Sequence, residues 1–142
     1  MRRLLVVEDY PPLAKVIGLA AERLGYETVR TGSMQRALAV RGDFDAAIID
    51  LNLPDGSGLD LARQLIEKGQ ASKVVFFTST TNNAERATAM HVGPVIDKES
   101  GLEFLFSVVD NEIGRSEEAG VVNGTSVAPP PTSRSGMRPR LR

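Results

Sequence analysis

Four short apolar runs, each ending abruptly in polar chemistry, constrain the fold of this chain more than any other feature. Leu4-Leu5-Val6-Val7 runs into Glu8-Asp9, and Ala46-Ala47-Ile48-Ile49 into Asp50. Val74-Val75-Phe76-Phe77 runs into Thr78-Ser79-Thr80, and the short Val95-Ile96 into Asp97-Lys98. Continuous apolar runs of this length suit strands covered on both faces. Helical spacing fills the gaps. Leu13, Val16, Ile17, Ala20 and Leu24 fall on one face of a predicted helix over 11–24, with Pro11-Pro12 tolerated in its first turn and Gly25 ending it.

A strand is expected over 26–30, then a helix capped by Ser33 and reaching about 41. Next come a strand over 45–50 and a helix over 58–68, with Leu61, Leu65 and Ile66 inward and Gly69 as its stop. A strand over 73–78, a weaker helix near 82–91 and a short strand over 94–97 follow. A last helix opens near Ser100 and runs to about 113. Its inward face is Leu102, Leu105, Phe106 and Val109, while Phe104 and Val108 lie off that face and offer an apolar patch for a dimer or partner. This alternation predicts an α/β fold: a five-stranded parallel sheet in the flavodoxin-like order 2-1-3-4-5, with helices on both faces.

Sheets of this kind bind ligands at the carboxyl ends of their strands. Asp50 stands at such an end, just before the turn chemistry of Pro54, Gly56 and Gly58. Glu8, Asp9, Thr78 and Lys98 stand at three others, so the topology brings three acids, a hydroxyl and an ammonium to one edge. Carboxylates this close repel unless a cation joins them, and Mg²⁺ prefers carboxylate, water and phosphate oxygens. Lys98 and the Thr78 hydroxyl suit the oxygens of a phosphoryl group.

This constellation resembles the receiver domain of two-component response regulators, over residues 1–114. The resemblance implies that Asp50 accepts a phosphoryl group from a histidine kinase or phosphotransfer protein. It implies that Glu8, Asp9 and Asp50 bind Mg²⁺ together with the backbone carbonyl of Asn52, that Thr78 is the switch hydroxyl, and that Lys98 pairs with the phosphoryl group. A protein of this kind catalyses only its own phosphorylation and dephosphorylation. Its output is expected through protein–protein contacts or phosphate relay, as a stand-alone receiver in the cytoplasm. Two positions depart from the family: Val95 stands where an aromatic is usual, and Glu99 replaces the usual proline after the lysine. The segment from Gly93 to Lys98 is also short, so the helix and strand around it are expected to be trimmed.

Two other readings of the same residues stand beside this one. An aspartyl-phosphate hydrolase would need an acid two residues beyond the nucleophile, and Asn52 stands there. A receiver-like interaction module that never takes phosphate fits the Val95 and Glu99 departures.

Charge divides the chain. Residues 1–114 carry 12 Lys+Arg and 16 Asp+Glu, net −4, and residues 115–142 carry five Arg and two Glu, net +3. The acidic part does not suit nucleic acid. The tail is rich in Pro, Gly, Ser and Arg and is expected to be disordered, because it buries too little apolar surface to offset its ordering entropy. No apolar stretch approaches the ~18 residues that suggest a bilayer span, and Met1-Arg2-Arg3 leads into a strand without a signal-peptide cleavage pattern. There is no cysteine and hence no disulfide framework. His91, the only histidine, reads as a surface residue.

Overall fold

A computed structural model describes residues 2–122, with side chains described through residue 114. The strands are β1 (Arg3–Val7), β2 (Glu27–Thr31), β3 (Ala46–Ile49), β4 (Asn52–Leu53), β5 (Gly56–Ser57), β6 (Val74–Thr78) and β7 (Val95–Asp97). The helices are α1 (Pro11–Arg23), α2 (Met34–Ala39), α3 (Gly58–Glu67), α4 (Asn83–Ala89) and α5 (Gly101–Val122), with a 3₁₀ turn at Lys98–Ser100 before the last. The main sheet has the order β2-β1-β3-β6-β7, all parallel. That is the expected flavodoxin-like order.

Alternation along each strand sends its side chains to two cores. Leu5, Val7, Ala47, Ile49, Val74 and Phe76 face a core closed by Leu61, Leu65 and Ala37 from α3 and α2. Leu4, Val6, Ala46, Ile48, Val75 and Phe77 face the other, closed by Ile17 and Ala21 of α1 and by Leu105, Phe106 and Val109 of α5. Burying a side chain such as Ile48 or Phe76 stabilises the fold by roughly 1.5–3 kcal/mol each. At the amino-terminal edge of the sheet a separate polar group ties the strands. The Arg3 guanidinium lies 4.5 Å over the Phe44 ring and donates to the Asp43 carbonyl at 2.9 Å, while the Arg3 N–H reaches Asp45 Oδ2 at 2.7 Å.

Several expectations are corrected. The inner face of α1 is Ala14, Ile17, Gly18 and Ala21, while Val16, Leu19 and Leu24 are about half exposed. Small residues face the sheet because its own leucines and isoleucines already fill that side. Ile66, expected inward on α3, is 40% exposed. The stretch after Asp50, expected only as a turn, forms the antiparallel hairpin β4–β5. The last helix runs past 113 to Val122, so residues 115–122 of the expected tail fall within it. The rest of that tail, 123–142, lies outside the described residues.

The expected trimming around β7 is present: β7 is 3 residues long and α4 is 7. Ser33 caps α2 by accepting the Arg36 N–H, although α2 ends at Ala39 rather than near 41. Among the described residues no helix is long and apolar enough to cross a membrane.

Candidate functional site at the carboxyl edge of the sheet

Four of the five strands of the main sheet deliver reactive groups at their carboxyl ends. Glu8 and Asp9 follow β1, Asp50 follows β3, Thr78 ends β6 and Lys98 follows β7. Glu8, Asp50 and Thr78 are buried, at 4%, 5% and 0% exposure, while Asp9 is open to solvent. Glu8, Asp9 and Asp50 each offer a carboxylate oxygen, and these oxygens lie within 4.8 Å of one another. Lys98 Nζ donates to Asp50 Oδ2 at 2.8 Å and to Glu8 Oε1 at 3.0 Å. Four of the predicted residues are therefore in one cluster.

Backbone groups fix the acids further. The second Glu8 oxygen accepts the Tyr10 N–H at 3.1 Å, and Asp50 Oδ1 accepts the Asn52 N–H at 3.2 Å. Asn52 thus sits directly over Asp50 as the first residue of the β4–β5 hairpin. That hairpin is itself anchored: both Asp55 carboxylate oxygens accept backbone N–H groups at the start of α2, from Met34 at 2.8 Å and Gln35 at 2.9 Å. These two bonds hold the Asp55 carboxyl below its ordinary pKa. Gly58 closes the loop against the Asp50 backbone, where no larger residue fits.

Thr78 is at the neighbouring strand end, yet its hydroxyl is engaged elsewhere. Its Oγ1 accepts the Thr80 N–H at 3.3 Å. Beyond it lie residues that the sequence did not single out: Thr80, Glu85, Arg86 and Asp97 form a polar group beside the site. Arg86 Nη1 reaches Asp97 Oδ1 at 2.9 Å and the Thr80 carbonyl at 3.1 Å. Nothing in their spacing signals this pairing, which depends on how α4 packs beside β7.

The electrostatics follow from burial and crowding. Desolvation pushes the Glu8 carboxyl up; the bonds from Lys98 and Tyr10 oppose it, and the charge on Asp50 reinforces it. Desolvation alone would lower Lys98, but its bonds to Asp50 and Glu8 outweigh it and leave the ammonium raised. The single ammonium compensates only part of the charge of three crowded carboxylates, so the pocket keeps an excess of negative charge.

The response regulator receiver domain model matches residues 4–110. The chain belongs to the response regulator receiver family. Relatives of this receiver include the photosynthetic apparatus regulatory protein RegA of Cereibacter sphaeroides, 30% identical over 133 residues, covering 92% of this chain and 67% of that protein. The transcriptional regulatory protein CutR of Streptomyces coelicolor is 30% identical over 93 residues, covering 64% of this chain and 43% of its own. The receiver therefore spans about two thirds of the length of RegA and under half that of CutR. Among solved structures, a CheY-like receiver domain from Methanospirillum hungatei superposes with a TM-score of 0.77 at 21% identity, covering 84% of this chain and 99% of that one. TrrA from Thermotoga maritima, solved in complex with Mg²⁺ and beryllium fluoride, superposes with a TM-score of 0.70 at 24% identity, covering 79% and 99%. At such identities these two show the shared fold.

Proposed function

We propose that Asp50 accepts a phosphoryl group from a phosphohistidine of a kinase or phosphotransfer protein, and that this chain signals through the resulting change. The observation that carries the reading is the Asp50 carboxylate held between the Lys98 ammonium and two further acids. Oδ1 or Oδ2 of Asp50 attacks phosphorus, the P–N bond breaks, and the histidine nitrogen leaves with the electron pair. Lys98 stays within reach of the transferred oxygens and offsets their charge. The Thr78 hydroxyl donates to a second oxygen after a small movement. The Asn52 N–H keeps the attacking carboxylate in one orientation.

The donor set fits Mg²⁺: three carboxylates of mixed burial whose oxygens lie within 4.8 Å of one another, and too little positive charge from Lys98 alone. Glu8, Asp9 and Asp50, with the Asn52 carbonyl, would hold Mg²⁺, which would supply charge neutralisation at the phosphoryl oxygens. The Mg²⁺ and beryllium fluoride complex of TrrA supports this assignment by likeness of fold. Output passes through protein–protein contact, with Phe104 on α5, 50% exposed, as an apolar contact point for a partner or a second copy.

The test is labelling of the purified chain by a small phosphodonor such as acetyl phosphate, with and without Mg²⁺. Mg²⁺-dependent labelling that disappears in Asp50→Asn supports the reading. Its absence in the wild-type chain favours the module that never takes phosphate.

A further inference from the structure

The hairpin that carries Asn52 lacks the turn that would hold it together. β4 and β5 are 2 residues each, with Asn52 opposite Ser57 and Leu53 opposite Gly56, so the loop is Pro54-Asp55 alone. Two-residue hairpin loops favour turns whose first loop residue has a positive φ. The pyrrolidine ring fixes φ of Pro54 at about −65° and excludes both such turns. A hairpin of this length is also marginal at best in water. Its support comes from outside.

The start of α2 supplies it. Its first N–H groups have no partner within the helix. Ser33 Oγ takes the Arg36 N–H at 3.1 Å, and the Asp55 carboxylate takes Met34 at 2.8 Å and Gln35 at 2.9 Å. The Met34 sulfur also lies over Gly56, where a β-carbon would come within 2.7 Å of it. The far side of α2's entry reaches the site as well: the Thr31 carbonyl, at the end of β2, accepts the Glu8 N–H at 3.0 Å. At the base of the hairpin the Asn52 N–H donates to Asp50 Oδ1 at 3.2 Å. Glu8 and Asp50 meet again at Lys98. The two buried acids thus lie on a closed ring of chain and bonds, and Asp55 joins its hairpin side to its α2 side.

Resting on the reading of Asp50 as a phosphoacceptor that works with Mg²⁺, we propose that Asp55 is a positioning residue for that reaction. Its two bonds to the start of α2 fix the β4–β5 hairpin and, through it, the backbone of Asn52. The N–H of that residue orients the Asp50 carboxylate, and its carbonyl would complete the metal's ligands. Asp55 is exposed at the hairpin tip, three residues from Asn52, and acts through the backbone it holds. Its loss removes no buried contact, since Ser33 still caps α2 and both cores are untouched. What is lost is the fixed place of Asn52, so metal affinity and the rate of attack by Asp50 fall together. The role requires a carboxylate. Two oxygens accept two N–H groups at once, whereas an asparagine offers one oxygen and turns its NH₂ toward the other donor.

Variants of the full chain test this. Asp55→Ala removes both bonds and Asp55→Asn keeps one acceptor oxygen. Met34→Pro removes one donor at the first helical position, which tolerates proline; Met34→Ala controls for its lost side chain. Urea unfolding measures metal-free stability, amide exchange over 52–57 the order of the hairpin, calorimetric titration the Mg²⁺ affinity, and acetyl phosphate with Mg²⁺ the labelling rate of Asp50. In Asp55→Ala the urea midpoint stays near the wild type and exchange over 52–57 rises several-fold. Mg²⁺ binds several-fold more weakly, and labelling at saturating Mg²⁺ slows about tenfold, as misplaced reacting groups do. Asp55→Asn and Met34→Pro fall between, and Met34→Ala labels like the wild type. Unchanged exchange, Mg²⁺ affinity and labelling in Asp55→Ala overturn the proposal. So does a lowered urea midpoint with Mg²⁺ affinity and labelling of the folded chain intact, which is a structural role alone. A wild type that takes no label, or whose label survives Asp50→Asn, refutes the phosphoacceptor reading and the positioning role with it.

Discussion

The Asp50 carbonyl and Gly58 approach so closely that a β-carbon on Gly58 would stand 2.0 Å from that oxygen. The Gly58 N–H also donates to the Leu51 carbonyl at 2.9 Å. The start of α3 is therefore pressed against the backbone that carries Asp50. Gly58→Ala has no flexible neighbour to push aside. It is expected to destabilise the fold by about 3 kcal/mol, as overpacking does, and to slow labelling of Asp50. Urea unfolding and a labelling time course check both, and an unaltered variant would show that this backbone yields more easily than its packing implies.

Asp50→Asn should abolish labelling while the protein stays folded. The change is nearly isosteric, relieves repulsion with Glu8 and Asp9, and leaves Lys98 paired to Glu8 at 3.0 Å. Stability is expected to hold or to rise by roughly 1 kcal/mol or more. Thermal unfolding followed by circular dichroism measures it.

Mg²⁺ should raise the melting temperature through preferential binding to the native state. The rise should shrink strongly in Asp9→Ala, whose carboxylate is exposed and structurally dispensable. Lys98→Ala should behave oppositely: it leaves two buried acids without their ammonium and costs on the order of 3 kcal/mol in metal-free buffer, much of it recovered on adding Mg²⁺. Equal Mg²⁺ shifts in the wild type and Asp9→Ala would contradict the metal assignment.

Tyr26 sets an alkaline limit on stability. Its phenol is 5% exposed and donates to Asp110 on α5, and burial first, then that bond, push its pKa well above the usual value. The neutral phenol is favoured in the native state, so its contribution is present below the unfolded pKa of about 10. It is lost as pH rises toward the folded value, because unfolding then releases a proton. Stability should fall between neutral pH and pH values above ~10 more steeply in the wild type than in Tyr26→Phe. At neutral pH the variant should lose only about 1 kcal/mol, the contribution of one hydrogen bond. Denaturant midpoints across that range decide it, and parallel slopes would remove Tyr26 from the account.

The strand ends were legible because run boundaries and chemistry coincide there: an apolar run that stops at Glu8-Asp9, Asp50 or Asp97-Lys98 names both the strand and its cargo. The face of α1 was not. Val16, Leu19 and Leu24 are as apolar as Ile17, and periodicity does not distinguish an outward stripe from an inward one when small residues such as Ala14, Gly18 and Ala21 make the true contact. Ile66 misled for the same reason. The β4–β5 hairpin escaped notice because strands of two residues leave no pattern, and its anchor, the pair of bonds from the start of α2 to Asp55, joins positions about twenty residues apart. Arg86 and Asp97 meet only because α4 lies beside β7. The helical extent of α5 beyond 113 was hidden by a composition that reads as tail.

Parallel strands give this molecule a direction. Glu8, Asp9, Asp50, Thr78 and Lys98 all lie at one end, and the Arg3, Asp43, Phe44 and Asp45 cluster lies at the other, a strand length of roughly 16 Å away. The Gly42–Asp43 loop there is joined to the rest by Arg3 and contributes no side chain to the acidic pocket. It is the natural splice point for a fluorescent or affinity module, since an insertion there would tax stability while leaving the signalling end untouched. The two ends of the sheet are thus separately editable parts, one for engineering and one for chemistry.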